Sequence, residues 1–285
     1  MRAVKTLLLL TALTVLLVLG GEAIAGQRGM TFALLMAVVM NGGAYFFSDK
    51  IALMSSGAQP VSREQLPRLY QVMERLTSKA ALPMPKLYVI PQAAPNAFAT
   101  GRNPSHASVA VTAGLMELMN DDELEGVIAH ELSHVRNYDI LITSIAATLA
   151  GAITWIASMG RWAMIFGGFG GSRDDERGGG GLAAIVMLIV APIAAVVIQL
   201  GISRQREFSA DASGARMVGH PYGLISALEK LGAANKRIPM DVSAATASLF
   251  IVAPLSAGQI FSGLFSTHPP LSERIAVLRS MTITR

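Results

Sequence analysis

Four stretches of this chain carry no charged side chain, Thr6 to Gly21, Gly29 to Ser48, Ile140 to Gly160 and Leu182 to Ser203, with polar sequence between them. About 20 apolar residues in an α-helix cross the hydrocarbon core of a bilayer, so the pattern predicts four transmembrane helices in two hairpins. Arg2 and Lys5 before the first run, and Ala23 and Ala25 after it, also fit a cleaved secretory signal. The second run follows so closely that we read the first as an uncleaved anchor paired with it. In either case the chain after Asp49 faces the cytosol. The third run is rich in Ala, Gly, Ser and Thr and also suits a buried core helix; its length and its closely packing small residues favour a span.

Between Asp49 and Asp139 the period changes. Ser62 and Gln65 form a capping box, and Leu66, Leu69, Val72, Met73 and Leu76 then recur at helical spacing until Pro83 and Pro85. Lys86 to Ile90, Asn96 to Gly101 and Ser108 to Thr112 read as strands, the last two joined by a turn at Gly101-Arg102-Asn103-Pro104. An exposed edge strand at Asn96, Ala97, Phe98 and Ala99 would hold an extended peptide by main-chain hydrogen bonds, with little demand on its sequence; the same pattern equally suits strands that only build a core. Asn120, Asp121, Asp122 and Glu123 then cap a helix whose buried face is Leu124, Ile128, Leu132 and Val135. Late in the chain, Pro221 to Leu231 and Ser272 to Met281 read as short amphipathic helices. Ser243 to Phe265 is apolar but broken by Pro254 and several glycines, and reads as cleft wall or membrane-surface contact.

Composition supports the membrane reading: 52% of residues are hydrophobic, 15% are charged, and the mean hydropathy is +0.48. The net charge of +4 is too small to argue for nucleic acid and fits positive membrane flanks. With no cysteine, the chain has neither disulfides nor thiolate metal sites.

The chemistry is concentrated in His130-Glu131-Leu132-Ser133-His134. Residues i and i+4 share one face of a helix, so both imidazoles can reach one ion, and zinc suits neutral imidazole ligands with an open position for water. Glu131, about 100° round the helix, is better placed to hold that water than to bind the metal. A third ligand is required. The metzincin pattern would need Gly and His where this chain has Asn137 and Ile140, which leaves carboxylates. Glu207 and Asp211, one turn apart, are the best candidates: Glu207 as the ligand, Asp211 accepting a hydrogen bond from a ligand histidine. By spacing alone, pairing of both with Arg204 or Arg206 on a solvated face is as good a reading. A hairpin between residues 140 and 203 brings His134 and Glu207 out on the same side. His134 lies only about 9 Å along the helix from Ile140, so the metal is expected at the cytosolic membrane interface, acting on membrane-associated segments.

These residues, together with Asn96-Ala97-Phe98-Ala99-Thr100-Gly101, Arg206-Glu207-Phe208-Ser209-Ala210-Asp211-Ala212, Thr267-His268-Pro269-Pro270 and Arg274, make the chain resemble the HtpX family of bacterial membrane zinc metallopeptidases, related to the eukaryotic CAAX prenyl protease. The resemblance covers essentially the whole chain. It implies an α+β, gluzincin-type endopeptidase of the bacterial inner membrane with one zinc ion per subunit held by His130, His134 and Glu207, and Glu131 as the catalytic acid and base. It also implies quality control of misfolded membrane proteins beside the membrane-bound ATP-dependent protease FtsH. Because the resemblance puts its motif near the cleft, His268 is the candidate for stabilising the oxyanion; a turn histidine before two prolines is the alternative. Many relatives have Tyr where Phe208 stands, which removes a hydroxyl and leaves the spacing intact. His106 and His220 receive no role.

The organisation expected is therefore a transmembrane hairpin over residues 1–49, a first catalytic part over 50–139, a second hairpin over 140–203 and a second catalytic part over 204–285. Two rival functions are a non-catalytic membrane assembly factor with a structural metal site, and a CAAX-type prenyl-peptide protease, whose prenyl-accommodating chamber four spans are too few to enclose.

Overall fold

Helix α1 (Arg2–Ser55) reverses direction at Gly26, where φ is +58°, in the left-handed region that favours glycine. Asn41 on the second arm donates from Nδ2 to Thr14 Oγ1 (2.8 Å) and to the Leu10 carbonyl (3.4 Å) on the first. In a straight helix Thr14 and Asn41 would stand about 40 Å apart, so the arms lie side by side. The structure is a computed structural model and describes residues 2–149, 151, 204–240, 242, 244–252 and 269–282. Gly26–Ser55 is long and apolar enough to cross a membrane, the one such helix among the described residues. Phe32, Leu35, Val38 and Val39, 63 to 68% exposed, give it an outward apolar face suited to lipid. Of the other expected spans, the third is described to residue 149 and at 151, and the fourth lies outside the described residues.

Ala52 and Leu53, at the end of α1, pack with Ile90, Phe98, Ala110 and Phe250, which joins the hairpin to a four-stranded sheet. The sheet contains β1 (Gln59–Pro60), β2 (Lys86–Ile90), β3 (Ala97–Gly101) and β4 (Ala107–Thr112), in the order β1-β2-β4-β3. β2 runs parallel to β4; β1 and β3 are antiparallel to their neighbours. β3 is thus an edge strand, yet all five of its residues are buried, which corrects the expectation of an exposed edge.

Helix α2 (Pro67–Ala80) starts later than its pattern suggested. The Ser62 amide does donate to Gln65 Oε1, but within a turn; the helix begins at Pro67, whose fixed φ and missing N–H suit a first helical position. Leu69, Val72, Met73 and Leu76 face the core with β2, β4 and the central helix. α3 (Ala113–Leu118) leads to that central helix, α4 (Asp121–Arg136). Its capping box is complete, Glu123 N–H donating to Asn120 Oδ1 and Asn120 N–H to Glu123 Oε2. Glu123 also holds α7 (Tyr222–Asn235), accepting from Ser226 and Lys230. Burial raises its carboxyl pKa, but these donors outweigh that and lower it.

At the end of α4 the chain breaks at Tyr138 (φ +58°) and continues as α5 (Asp139–Leu149). Ile145, Ala146 and Leu149 of α5 pack on Ala44, Leu10 and Leu17 of the α1 hairpin. After α6 (Arg204–Val218) and α7 come a short α8 (Ala244–Ala247) and α9 (Leu271–Ser280). Within the apolar 243–265 segment, Phe250, Ile251 and Val252 are buried, and Phe250 meets Phe98 edge to face at 5.1 Å, an arrangement worth about 1 kcal/mol beyond the area it buries.

Candidate metal centre

α4 is buried on nearly every face because sheet, α6 and α7 all pack on it, so His130 and Glu131, polar as they are, sit at 0% and 2% exposure. α6 comes unusually close. A Cβ on Gly214 would stand 2.9 Å from the His130 amide nitrogen and 3.1 Å from the Ala129 carbonyl carbon. Both atoms are backbone and cannot yield, so glycine there lets α6 bring Glu207 and Asp211 onto the His130 face. Gly126 and Gly223 permit a similar approach of α7.

The result is a group of three side chains, His130, His134 and Glu207, whose ligand atoms lie within 4.8 Å of one another. The two Nε2 atoms are 3.2 Å apart; Glu207 lies 3.6 Å from His130 Nε2 through Oε2 and 3.4 Å from His134 Nε2 through Oε1. Tetrahedral bonds of about 2.0–2.1 Å have edges of about 3.3–3.4 Å, so the spacing fits one zinc-sized ion.

The other ring nitrogens set the direction of these lone pairs. His130 Nδ1 lies 2.8 Å from Asp211 Oδ1, and His134 Nδ1 lies 3.4 Å from Asp139 Oδ2. With protons on Nδ1 donated to those carboxylates, both Nε2 lone pairs face each other and Glu207, a juxtaposition that a positive charge between them, a metal ion or a proton, relieves. Charge balance says the same. One guanidinium, Arg274, faces the carboxylates of Asp211, Glu207 and Glu131, and a divalent cation offsets the excess.

Arg274 reaches the centre from α9 and is fully buried. Its Nε and Nη2 donate to the two Asp211 oxygens at 2.8 and 2.6 Å, its Nη1 donates to the Ile251 carbonyl at 2.8 Å, and Nη1 lies 3.7 Å from Glu207. Arg274 is among the residues that carry the family resemblance, but no role is assigned to it from the sequence. Asp211 pairs with Arg274 and His130 rather than with the Arg204 or Arg206 that spacing offered. Burial raises the Asp211 carboxyl pKa, but Arg274 and His130 outweigh it and hold it at about 2.

Glu131 projects from the same helix toward β3, and its carboxylate accepts the Ala99 backbone N–H. Burial pushes its pKa up, Glu207 adds to the rise, and His134 and Arg274 oppose it; it stands at about 7. The imidazoles diverge: burial lowers His130, with Asp211 opposing, whereas for His134 burial is outweighed by Glu207, Asp139 and Glu131, and its pKa rises to about 9.

The remaining predicted residues surround this centre unevenly. Asn96 grips a neighbouring segment, Nδ2 donating to the Val252 carbonyl (2.8 Å) and Oδ1 accepting the Val252 amide (3.4 Å), while Ile251 N–H donates to the Ala97 carbonyl (2.9 Å). The start of the β3 edge is therefore taken. Phe98 points into the core against α1 and Phe250. Ala99, next to Glu131, is the part of the expected strand that meets the centre. His268 lies outside the described residues.

Comparison with known proteins agrees with this geometry. The description of peptidase family M48 matches residues 62–282. A Protease HtpX homolog of Desulfatibacillum aliphaticivorans is 58% identical over 275 residues, covering 96% of this chain and 88% of its own. A second, of Thermodesulfovibrio yellowstonii, is 55% identical and covers 99% of both chains. In three dimensions the crystal structure of S. mikatae Ste24p aligns with a TM-score of 0.52 at 20% identity, over 97% of this chain, which spans 65% of the length of that protein; at that identity the likeness is one of fold. With the family match covering most of its length, strands β2 to β4 and the metal cluster included, the chain belongs to peptidase family M48.

Proposed function

We propose that this metallopeptidase uses zinc, held by His130, His134 and Glu207, to hydrolyse peptide bonds in misfolded or damaged membrane proteins at the cytosolic face of the bacterial inner membrane. The observation that carries this reading is the convergence of two imidazole Nε2 atoms and one carboxylate within 3.2 to 3.6 Å of each other, in a buried site with excess negative charge. When bound, the metal supplies a Lewis acid that polarises the scissile carbonyl and lowers the pKa of a water. Glu131 takes the proton of the attacking water and later delivers it to the leaving amine. Asp211 holds the His130 ring, and Arg274 holds Asp211. The substrate strand is proposed within Asn96, Ala97, Phe98 and Ala99, of which Ala99, whose N–H the Glu131 carboxylate accepts, stands beside the centre. His268 is retained as the candidate for steadying the oxyanion.

Purified in detergent, the protein should cleave unfolded casein, lose that activity to a chelator and regain it on adding Zn²⁺. Chelator-insensitive cleavage removes the metal-dependent reading, and no cleavage from metal-loaded protein favours a non-catalytic assembly factor with a structural metal. Cleavage confined to prenylated peptides favours the CAAX-type alternative.

Four spans in two hairpins, with boundaries at 49, 139 and 203, and a cytosolic catalytic part remain the topology proposed, and the membrane-bound ATP-dependent protease FtsH the proposed partner in quality control. The α1 hairpin packing on both α5 and β3 supports a site held at the membrane surface. Because the chain has no cysteine, Arg204→Cys, beside Glu207 and exposed, supplies a single probe. It should resist a membrane-impermeant thiol reagent in intact spheroplasts and react once they are opened; labelling from outside reverses the topology. Pull-down of FtsH with the tagged full chain tests the partnership, and its absence from crosslinked membranes removes it.

A further inference from the structure

Asp139 follows His134 by five positions. On an unbroken helix the two would point about 140° apart and could not meet. They meet because α4 ends at Tyr138, whose φ of +58° is uncommon for a residue with a bulky side chain. Such backbone persists where the surroundings over-determine it, and it tends to mark functional sites. Here its consequence is specific: the chain turns, and the first residue of α5 looks back at the imidazole it has just passed. The Asp139 carboxylate is 4% exposed, and Oδ2 is 3.4 Å from His134 Nδ1. Among the described residues, the His134 ring is the side-chain donor facing it.

We infer that Asp139 is a positioning residue for the metal centre, holding the His134 proton on Nδ1 so that Nε2 presents its lone pair to the ion. The inference rests on the metal reading above and deepens it. The two ligand imidazoles are oriented from different parts of the molecule: His130 by Asp211 on α6, His134 by the residue that begins α5. Because α5 is seated against Ala44, Leu10 and Leu17 of the α1 hairpin, the second histidine takes its orientation from the helix that packs with the membrane anchor. Metal affinity is thereby tied to correct seating of the hairpin. Thr100 and Ser144, whose buried hydroxyls meet at 2.7 Å, fasten the same helix to β3, so that α5 fixes substrate strand and metal ligand together.

The other role open to Asp139 is purely structural, an acidic residue favouring the N-terminus of α5. Two substitutions separate the roles. Asp139→Ser keeps a residue that caps helices well but is too short to reach the ring; Asp139→Asn keeps an acceptor oxygen at the same reach without the charge. The measurement is the dissociation constant of Zn²⁺ for the full chain in detergent, by competition with a chromophoric chelator, with the visible spectrum of the Co²⁺-loaded protein and the Tm of the metal-free protein. Asp139→Ser should weaken metal binding about 10- to 100-fold and alter the Co²⁺ spectrum; Asp139→Asn should recover part of the affinity; both metal-free proteins should melt with the parent. Parent-like affinity in Asp139→Ser overturns the assignment, as does an affinity loss matched by a fall in metal-free Tm. A parent protein that binds no metal overturns the proposed function as well, so the two failures are distinguishable.

Discussion

Glu131→Gln is expected to leave the metal in place and to lower proteolysis by about 10²- to 10⁴-fold, the range that a general acid and base contributes. Glutamine matches the shape, still accepts from Ala99, and cannot carry a proton from water to the leaving amine. The same substitution has a second, opposite effect on stability. Unfolded, this carboxyl ionises near 4.5; folded, burial keeps it protonated up to about 7. Between those values the native protein holds a proton that the unfolded chain has lost, so stability falls as pH rises through the window and stays lowered above it. Glutamine removes that cost. The metal-free variant should therefore melt above the parent at pH 8, the gap closing as pH drops below about 5. Cleavage of casein and metal content, measured on one preparation, check the first effect, and melting curves at several pH values check the second. Undiminished cleavage refutes the catalytic assignment, and a variant less stable than the parent at pH 8 refutes the account of its carboxyl.

Arg274→Met is expected to cost about 3–5 kcal/mol of stability, because it strips the cation from a fully buried carboxylate pair and leaves Asp211 and Glu207 without it. Methionine fills much the same volume, so packing changes little. Arg274→Lys should rescue poorly, since an ammonium cannot make the two-pronged contact with Asp211 and reach the Ile251 carbonyl at once. Adding Asp211→Asn to Arg274→Met should restore part of the loss, as the charge left behind is then removed. The pH dependence has a definite sign. With its folded pKa at about 2 against 3.8 ordinarily, Asp211 contributes stability that is present above its unfolded value and lost as pH falls toward 2. Without Arg274 that acid-side contribution shrinks. Denaturant titration of the metal-free proteins decides the matter; a loss under about 1 kcal/mol means that the guanidinium is not the counter-charge that holds α6, α9 and the 251 segment together.

Both predictions concern one buried cluster, and its parts were legible in the sequence to very different degrees. The imidazole pair and Glu131 were read from spacing alone, because i and i+4 on one helix face is a local relation that no tertiary contact can alter. β2, β4 and the cap of α4 were also legible, since their signals lie within a few residues. The start of α2 was misread for a related reason: Ser62 and Gln65 do make the capping contact, yet Pro67 is the residue that can begin a helix. The uncharged runs predicted spans from length, and the reversal at Gly26 rests on contacts between residues 27 and 31 positions apart.

Sequence by itself therefore determined the apolar segments, the metal-ligating helix and the residue types available as a third ligand. Only the tertiary structure set Glu207, already the favoured third ligand, beside the imidazoles, and decided that Arg274 is buried against Asp211, that Asp139 turns back to His134, and that the start of the β3 edge is covered. The physical reason is range. Periodicity and caps are fixed by neighbours along the helix, whereas burial of a charge, and the partner that makes it tolerable, depend on which distant backbones can approach closely, as Gly214 allows α6 to approach His130.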